Sequence, residues 1–239
     1  MSSSARGKNW SGKRLDLDQG FFISNIILKE MGLIHSAIED VIAYLAAGKL
    51  AILTDHKDRE DEGDLIACAS TIMPEHISFM AKYGRGLICL AMRASEIDRL
   101  GLPPMVAENQ CPHQTAFTVS IDAREGTTTG ISAYDRAHTI RLAADPSSTI
   151  SDFRMPGHMF PLRARQGGIF EREGHTEASV ELCRLAGRGE SAVICEIMDD
   201  DGHMMRKAAL QAFAQTHSLK ICSIASLKTY LTIQSKKAA

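Results

Sequence analysis

No apolar run in the 239-residue chain approaches the roughly 18 residues that a bilayer-spanning helix needs, so the sequence carries no membrane helix. The six cysteines (Cys68, Cys89, Cys111, Cys183, Cys195 and Cys222) form no C-x-x-C pair, which argues against a structural zinc site. Most sit in apolar runs and read as buried small hydrophobes, the usage of a reducing compartment such as the cytoplasm. Net charge is close to nil, −2, so no basic field recommends nucleic acid or a membrane surface as a partner. There is no internal repeat, low-complexity tract or long linker. What remains is ordinary for a soluble enzyme: 44% hydrophobic and 23% charged residues.

The densest feature is Asp55–Asp64, with six carboxylates and two cations in ten residues. It lies between two apolar runs that read as buried strands, Leu50–Thr54 and Leu65–Ala69. Crowding like charges into a short connection is unfavourable unless a cation offsets them. Lys57 and Arg59 offset part, and a divalent ion on hard oxygen ligands, Mg²⁺ or Mn²⁺, would offset more. A solvated acidic turn is the alternative.

Around this loop, helices and strands interleave. Ser36 and Glu39 form a capping-box pattern before a helix that Gly48 ends. A second helix runs from Pro74 to Gly84, a strand over 86–92 and a short helix over Ala94–Leu100. Strand alternation follows over Phe117–Asp122, then a Thr-rich turn and strand over 126–131. Ser132 and Asp135 cap a helix reaching about Ala144. A strand over 157–164 contains Pro161, which places it at an edge or a bulge. His175 opens a helix that Gly187 ends, a strand runs over Ala192–Ile197, and helix, strand and helix follow from Lys207 to Ile233. This alternation predicts an α+β fold, a single-domain three-layer α-β-α sandwich with a mixed twisted sheet, over residues 31–235. Residues 1–30, polar and Ser-rich, read as a poorly ordered extension.

Three further clusters carry chemistry. Arg172-Glu173-Gly174-His175-Thr176 heads a helix, where backbone amides, a hydroxyl and an arginine fork together suit a phosphate, and His175 could share a metal with Glu60. Simple helix capping by Thr176, with Arg172 solvated, is the alternative. His158, in a Gly-Pro setting, is either a structural histidine or an acid–base group. Glu196 ends an apolar strand and must be paired or poised with a raised pKa.

The segments DREDEGDLI (58–66), GRGLICLAM (84–92), TAFTVSID (115–122), TTGISAYDRAHTIR (128–141), RMPGHMFPLRARQGGIFEREGHTEASVELCRLAG (154–187) and VICEIMDDDG (193–202) together resemble the 3,4-dihydroxy-2-butanone 4-phosphate synthase family. The resemblance implies a lyase of riboflavin biosynthesis that converts D-ribulose 5-phosphate to the four-carbon phosphate and formate, through an enediol stabilised by Mg²⁺ or Mn²⁺. It implies Glu60 and His175 as metal ligands, and Arg59, Glu60, Asp64, Arg172, Glu173, Gly174, His175, Thr176 and Glu196 as substrate-binding residues. It implies His158, Glu196 and Asp64 in catalysis, a cytoplasmic homodimer, and the single-function form without a GTP cyclohydrolase II domain. Neither nucleic acid nor a membrane is an expected partner. Two departures stand out: Asp61 where the family usually has Asn, and Gln114 where it usually has Gly.

Overall fold

The computed structural model describes residues 35–238, so the expectation for residues 1–30 lies outside the described residues. One mixed sheet forms the middle layer. Its strands are β1 (Ala51–Thr54), β2 (Gly63–Cys68), β3 (Cys89–Met92), β4 (Ile121–Ala123), β5 (Phe153–Arg163), β6 (Ser191–Glu196) and β7 (Lys220–Ser223), in the order β4-β5-β3-β6-β2-β1-β7. The pairs β1–β7 and β3–β5 are parallel and the other four antiparallel.

The central strands are short apolar runs because both their faces are covered. In β1, Ile52 points into one core while Ala51 and Leu53 point into the other. The first core is closed by α2 (Pro74–Phe79), α3 (Ala94–Leu100), α4 (Ala133–Ala144) and α6 (Lys207–Thr216); the second by α1 (Ile38–Ala46), α5 (His175–Leu185) and α7 (Ile224–Ala238). The three-layer sandwich expected from the sequence is the fold observed. Ser132 caps α4 as expected, its hydroxyl accepting from the Asp135 N–H at 3.0 Å. Gly48, Gly101 and Gly187 follow their helices at positive φ, where an L side chain is strained.

Several local expectations fail, each for a tertiary reason. Ser36 does not cap α1: the helix starts at Ile38 after Ala37, and Ser36 instead donates its N–H to Ile221 O at 2.6 Å, alongside β7. The strand expected over 86–92 begins only at Cys89, because Leu87 N–H is drawn to the Glu196 carboxylate at 2.9 Å. No strand forms over 126–131, whose amides at Thr128 and Gly130 point to Asp135 instead of a ladder partner. Over Phe117–Asp122 only Ile121 and Asp122 enter a strand, Phe117 and Thr118 making single bridges. The edge-or-bulge expectation for Pro161 holds only in part: β5 lies between β3 and β4, but its pairing with β4 is irregular, jumping from Arg154 to Met159. β4 already ends its pairing at Met159, so Pro161 interrupts no ladder on that side; its carbonyl accepts from the Thr118 N–H at 2.9 Å.

Candidate active site

The acidic connection is the turn of the β1–β2 hairpin, which lifts its carboxylates to one end of the sheet. Asp55 organises it. Its Oδ1 accepts from Glu62 N–H at 2.9 Å, and its Oδ2 from Glu60 N–H at 3.0 Å and from Arg59 at 2.9 Å. Arg59 also bonds Glu60 at 2.5 Å. Asp61 sits at φ 55, a left-handed conformation that Asn and Asp tolerate best, and Gln114 also sits at φ 55. At both positions the backbone conformation is one that Asn and Gly adopt more readily than most residues. The extra charge at Asp61 is met by Arg206, 3.0 Å away.

Immediately after the turn, Asp64 stands opposite Glu196 across the β2–β6 ladder. The first residue of α5, His175, reaches the same cavity. Its Nδ1 lies 3.5 Å from Glu60 and its Nε2 lies 3.8 Å from Asp64. The second distance is too long for a hydrogen bond, and Asp64 Oδ1 and His175 Nε2 are both buried without a partner. Together with Arg59, Glu62, Arg172, Thr176 and Glu196 these groups line a cavity of about 170 Å³. The turn separates it from a larger one, about 640 Å³, bordered by His56, Lys57 and Lys207.

Charges in the cavity perturb one another strongly. Burial pushes Asp64 up to about 7, with Glu196, Glu62 and Glu60 adding to it and His175 opposing. Burial also disfavours the cation of His175, but the charge of Asp64, then Glu60 and Asp55, outweighs it and raises the imidazole to about 9. Burial would raise Glu60; His175 and Arg59 hold it down at about 2. Glu62 is raised by burial and by Glu60 and Glu196.

The residues fit a divalent cation. One oxygen or nitrogen from each of Asp55, Glu60 and His175 lies within 4.8 Å of the others. Asp55 is the weaker ligand of the three, since both its oxygens already brace the turn. Glu60 and His175 are better placed, and orphaned atoms at Asp64 and His175 mark polar demand left unmet. A carboxylate with an imidazole, in a cluster otherwise of oxygens, suits Mg²⁺ or Mn²⁺. An imidazole ligates only once it has shed its proton, so if His175 holds the ion, the affinity for added Mn²⁺ should rise with pH, about tenfold per unit between pH 7 and 8, and level off near the imidazole value of about 9. Calorimetric titrations at a series of pH values check this; an affinity flat from pH 6.5 to 9 would remove His175 from the ligand set.

The Arg172–Thr176 turn is built around a buried ion pair. Arg172 Nη1 donates to Glu177 at 2.7 Å, Nε to His113 O at 3.1 Å and Nη2 to Thr115 Oγ1 at 3.1 Å. Only the second hydrogens on its terminal nitrogens stay available to a ligand. This explains Gly174, where a Cβ would lie 2.1 Å from Arg172 Nη1 and 2.8 Å from Glu177 Oε2. Thr115, Phe117 and Cys89 are site residues without a functional signal in the sequence, and Glu177 belongs to the Glu171–Glu177 cluster but had no role assigned to it there. Glu173 differs from its neighbours: its carboxylate pairs with Lys228 at 2.5 Å and borders the larger cavity. His158 is not brought to the cavity either. It lies on β5, 42% exposed, with Nδ1 2.7 Å from Asp122.

A small cavity crowds carboxylates around a buried histidine, with an arginine at its rim, at one end of a mixed α-β-α sheet, and these are the groups that metal-assisted acid–base chemistry would use. A sequence model of 3,4-dihydroxy-2-butanone 4-phosphate synthase matches residues 39–230, and the chain belongs to that family. It is similar to the riboflavin biosynthesis protein RibBA of Aquifex aeolicus, 55% identical over 197 residues, which cover 82% of this chain and 48% of that one. It is also similar to the 3,4-dihydroxy-2-butanone 4-phosphate synthase of Agrobacterium fabrum, 49% identical over 81% of this chain and 91% of the relative. The chain thus spans about half the length of the RibBA relatives it matches. Among solved structures it resembles 3,4-dihydroxy-2-butanone 4-phosphate synthase in complex with two magnesium ions, at TM-score 0.79 and 43% identity over 82% of this chain and 96% of that one. No helix among the described residues is long and apolar enough to cross a membrane.

Proposed function

We propose that this chain is a lyase of riboflavin biosynthesis that converts D-ribulose 5-phosphate to 3,4-dihydroxy-2-butanone 4-phosphate and formate, with Mg²⁺ or Mn²⁺ held by Glu60 and His175. The observation that carries this reading is the meeting of Glu60, Asp64, His175 and Glu196, from three distant segments, around one cavity in a chain of this family. A bound divalent ion would supply positive charge to sugar oxygens that become anionic.

The remaining roles belong to the chain. Asp64, with a pKa of about 7, can take a proton next to the carbonyl and return it at neutral pH, which forms the enediol. Glu196 faces it across the ladder, held by the Leu87 N–H, and serves the later transfers as a hydroxyl leaves as water and the carbon skeleton shifts. Water re-enters to release formate, so the five carbons divide between formate and the four-carbon phosphate. The α5 N-terminus with Thr176 and the free hydrogens of Arg172 would hold the phosphate end, and Arg59 and Gly174 shape its approach. We assign Glu173 only a peripheral substrate role, because its carboxylate engages Lys228. The acidic turn, with open space on its far side, would close over the substrate. Free, mostly buried cysteines support a reducing, cytoplasmic setting.

His158 is outside its own chain's cavity, and this supports a homodimer in which it completes the partner's site. Incubation with ribulose 5-phosphate and Mg²⁺ should release formate and stop on chelation; no formate with metal present would overturn the assignment. The shared site has its own check. Glu60→Gln and His158→Gln proteins, each inactive, should regain about a quarter of wild-type turnover when unfolded together and refolded as mixed dimers, since half the dimers are hybrids with one intact site. Mixtures as inactive as their parents would place His158 outside the partner's site.

A further inference from the structure

The ring of His158 is fixed by a single carboxylate. Asp122, on β4, accepts from the His158 backbone N–H at 2.9 Å through Oδ1 and from ring Nδ1 at 2.7 Å through Oδ2. The acid is the inner partner, 13% exposed against 42% for the imidazole, so the far edge of the ring faces outward. The surroundings hold this pair closely. Gly130, at φ 91, passes so near that a Cβ would lie 2.1 Å from Asp122 Oδ2 and 2.5 Å from His158 Nδ1. The Gly130 loop is itself anchored by buried Asp135, which accepts from Thr128 N–H at 3.1 Å, Thr128 Oγ1 at 2.8 Å and Gly130 N–H at 3.0 Å. On the other side, Gly157 N–H donates to Ser120 Oγ at 3.1 Å.

A carboxylate only accepts, so the ring nitrogen facing it carries the hydrogen. Neutral imidazole then has its lone pair on the other nitrogen, Nε2. We propose that Asp122 is a positioning residue for the reaction: it fixes His158 as the Nδ1–H tautomer and turns Nε2 outward as the atom that exchanges a proton with substrate. This rests on the reading of His158 as catalytic. Asn at position 122 keeps the shape and can still accept the backbone N–H, but it can turn its amide toward Nδ1 and stabilise the opposite tautomer.

The test uses the full-length protein with Mg²⁺ and four forms: wild type, Asp122→Asn, His158→Gln and the double variant. Asp122→Asn should lower kcat by about 10²-fold or more, the scale of general acid–base catalysis, with KM within about threefold of wild type. In the His158→Gln background the same change should cost nothing further, because Asp122 acts through the ring. Nitrogen-15 spectra of histidine-labelled protein, with the His158 signals identified by their loss in His158→Gln, should show Nδ1 protonated in wild type and a changed tautomer in Asp122→Asn. Asp122→Asn turnover within about threefold of wild type while His158→Gln is dead would overturn the proposal alone; so would an equal loss from Asp122→Asn in both backgrounds. Wild-type turnover by His158→Gln would overturn the catalytic reading of His158 and the proposal with it, whatever the tautomer.

Discussion

Replacing His175 with Asn should leave the fold in place and slow formate release at least about a thousandfold, the effect of losing roughly 4 kcal/mol of charge stabilisation. His175 is the one group in the cavity that reaches Glu60 with one nitrogen and approaches Asp64 with the other, at 3.5 and 3.8 Å. Arg59 is committed to Asp55 and Glu60, and Arg172 to Glu177, so neither can take its place. Asparagine is acceptable in the first turn of a helix, and the variant should express and give a normal far-ultraviolet spectrum. Calorimetry should show the loss of Mn²⁺ affinity alongside the loss of turnover, and Glu60→Gln should behave alike. Wild-type turnover by either variant would refute the proposed ligand pair.

The second large effect is expected at a residue with no side chain of its own, Gly157. A Cβ there would sit 2.1 Å from the Ile121 carbonyl carbon and 2.3 Å from Asp122 N, both backbone atoms that no rotamer can move aside. Gly157→Ala therefore has to push β4 away from β5 where their register already shifts, between Ile121 and Asp122. Overpacking of this kind costs about 3 kcal/mol or more, which for a chain of this size lowers Tm by about 6–12 °C. Because the displaced strand carries Asp122, turnover should fall as well. Scans at one fixed heating rate, comparing Gly157→Ala with wild type, check the first point. A Tm within about 2 °C of wild type would mean that the two strands can separate at little cost.

Much of the site was legible because its parts are locally improbable. Six carboxylates between two apolar runs have no packing purpose, and a glycine beside Arg and His at the start of a helix has no helical one. Both proved to be parts of one cavity, though for reasons only partly foreseen: Asp55 braces the turn, and Gly174 makes room for the Arg172–Glu177 pair. Glu196 was legible as an acid ending an apolar strand. Its neighbours Cys89, Thr115 and Phe117 were not, since they carry no local signal beyond strand propensity. Asp122 was hidden most completely. In an alternating strand an aspartate reads as the solvent-facing residue, and only pairing with β5 places it on His158.

The amino-acid order alone determined the layering, the helix stops and the chemical character of each segment, because burial periodicity, glycine at positive φ and charge density are properties of neighbouring residues. The tertiary structure decided which of those segments touch: Asp64 across from Glu196, Glu60 against His175, Asp122 under His158, and His158 away from its own cavity. Those contacts depend on strand order and register in a sheet that joins residues more than a hundred positions apart. Side-chain preferences set what each strand can bury, but the sheet as a whole selects its neighbours.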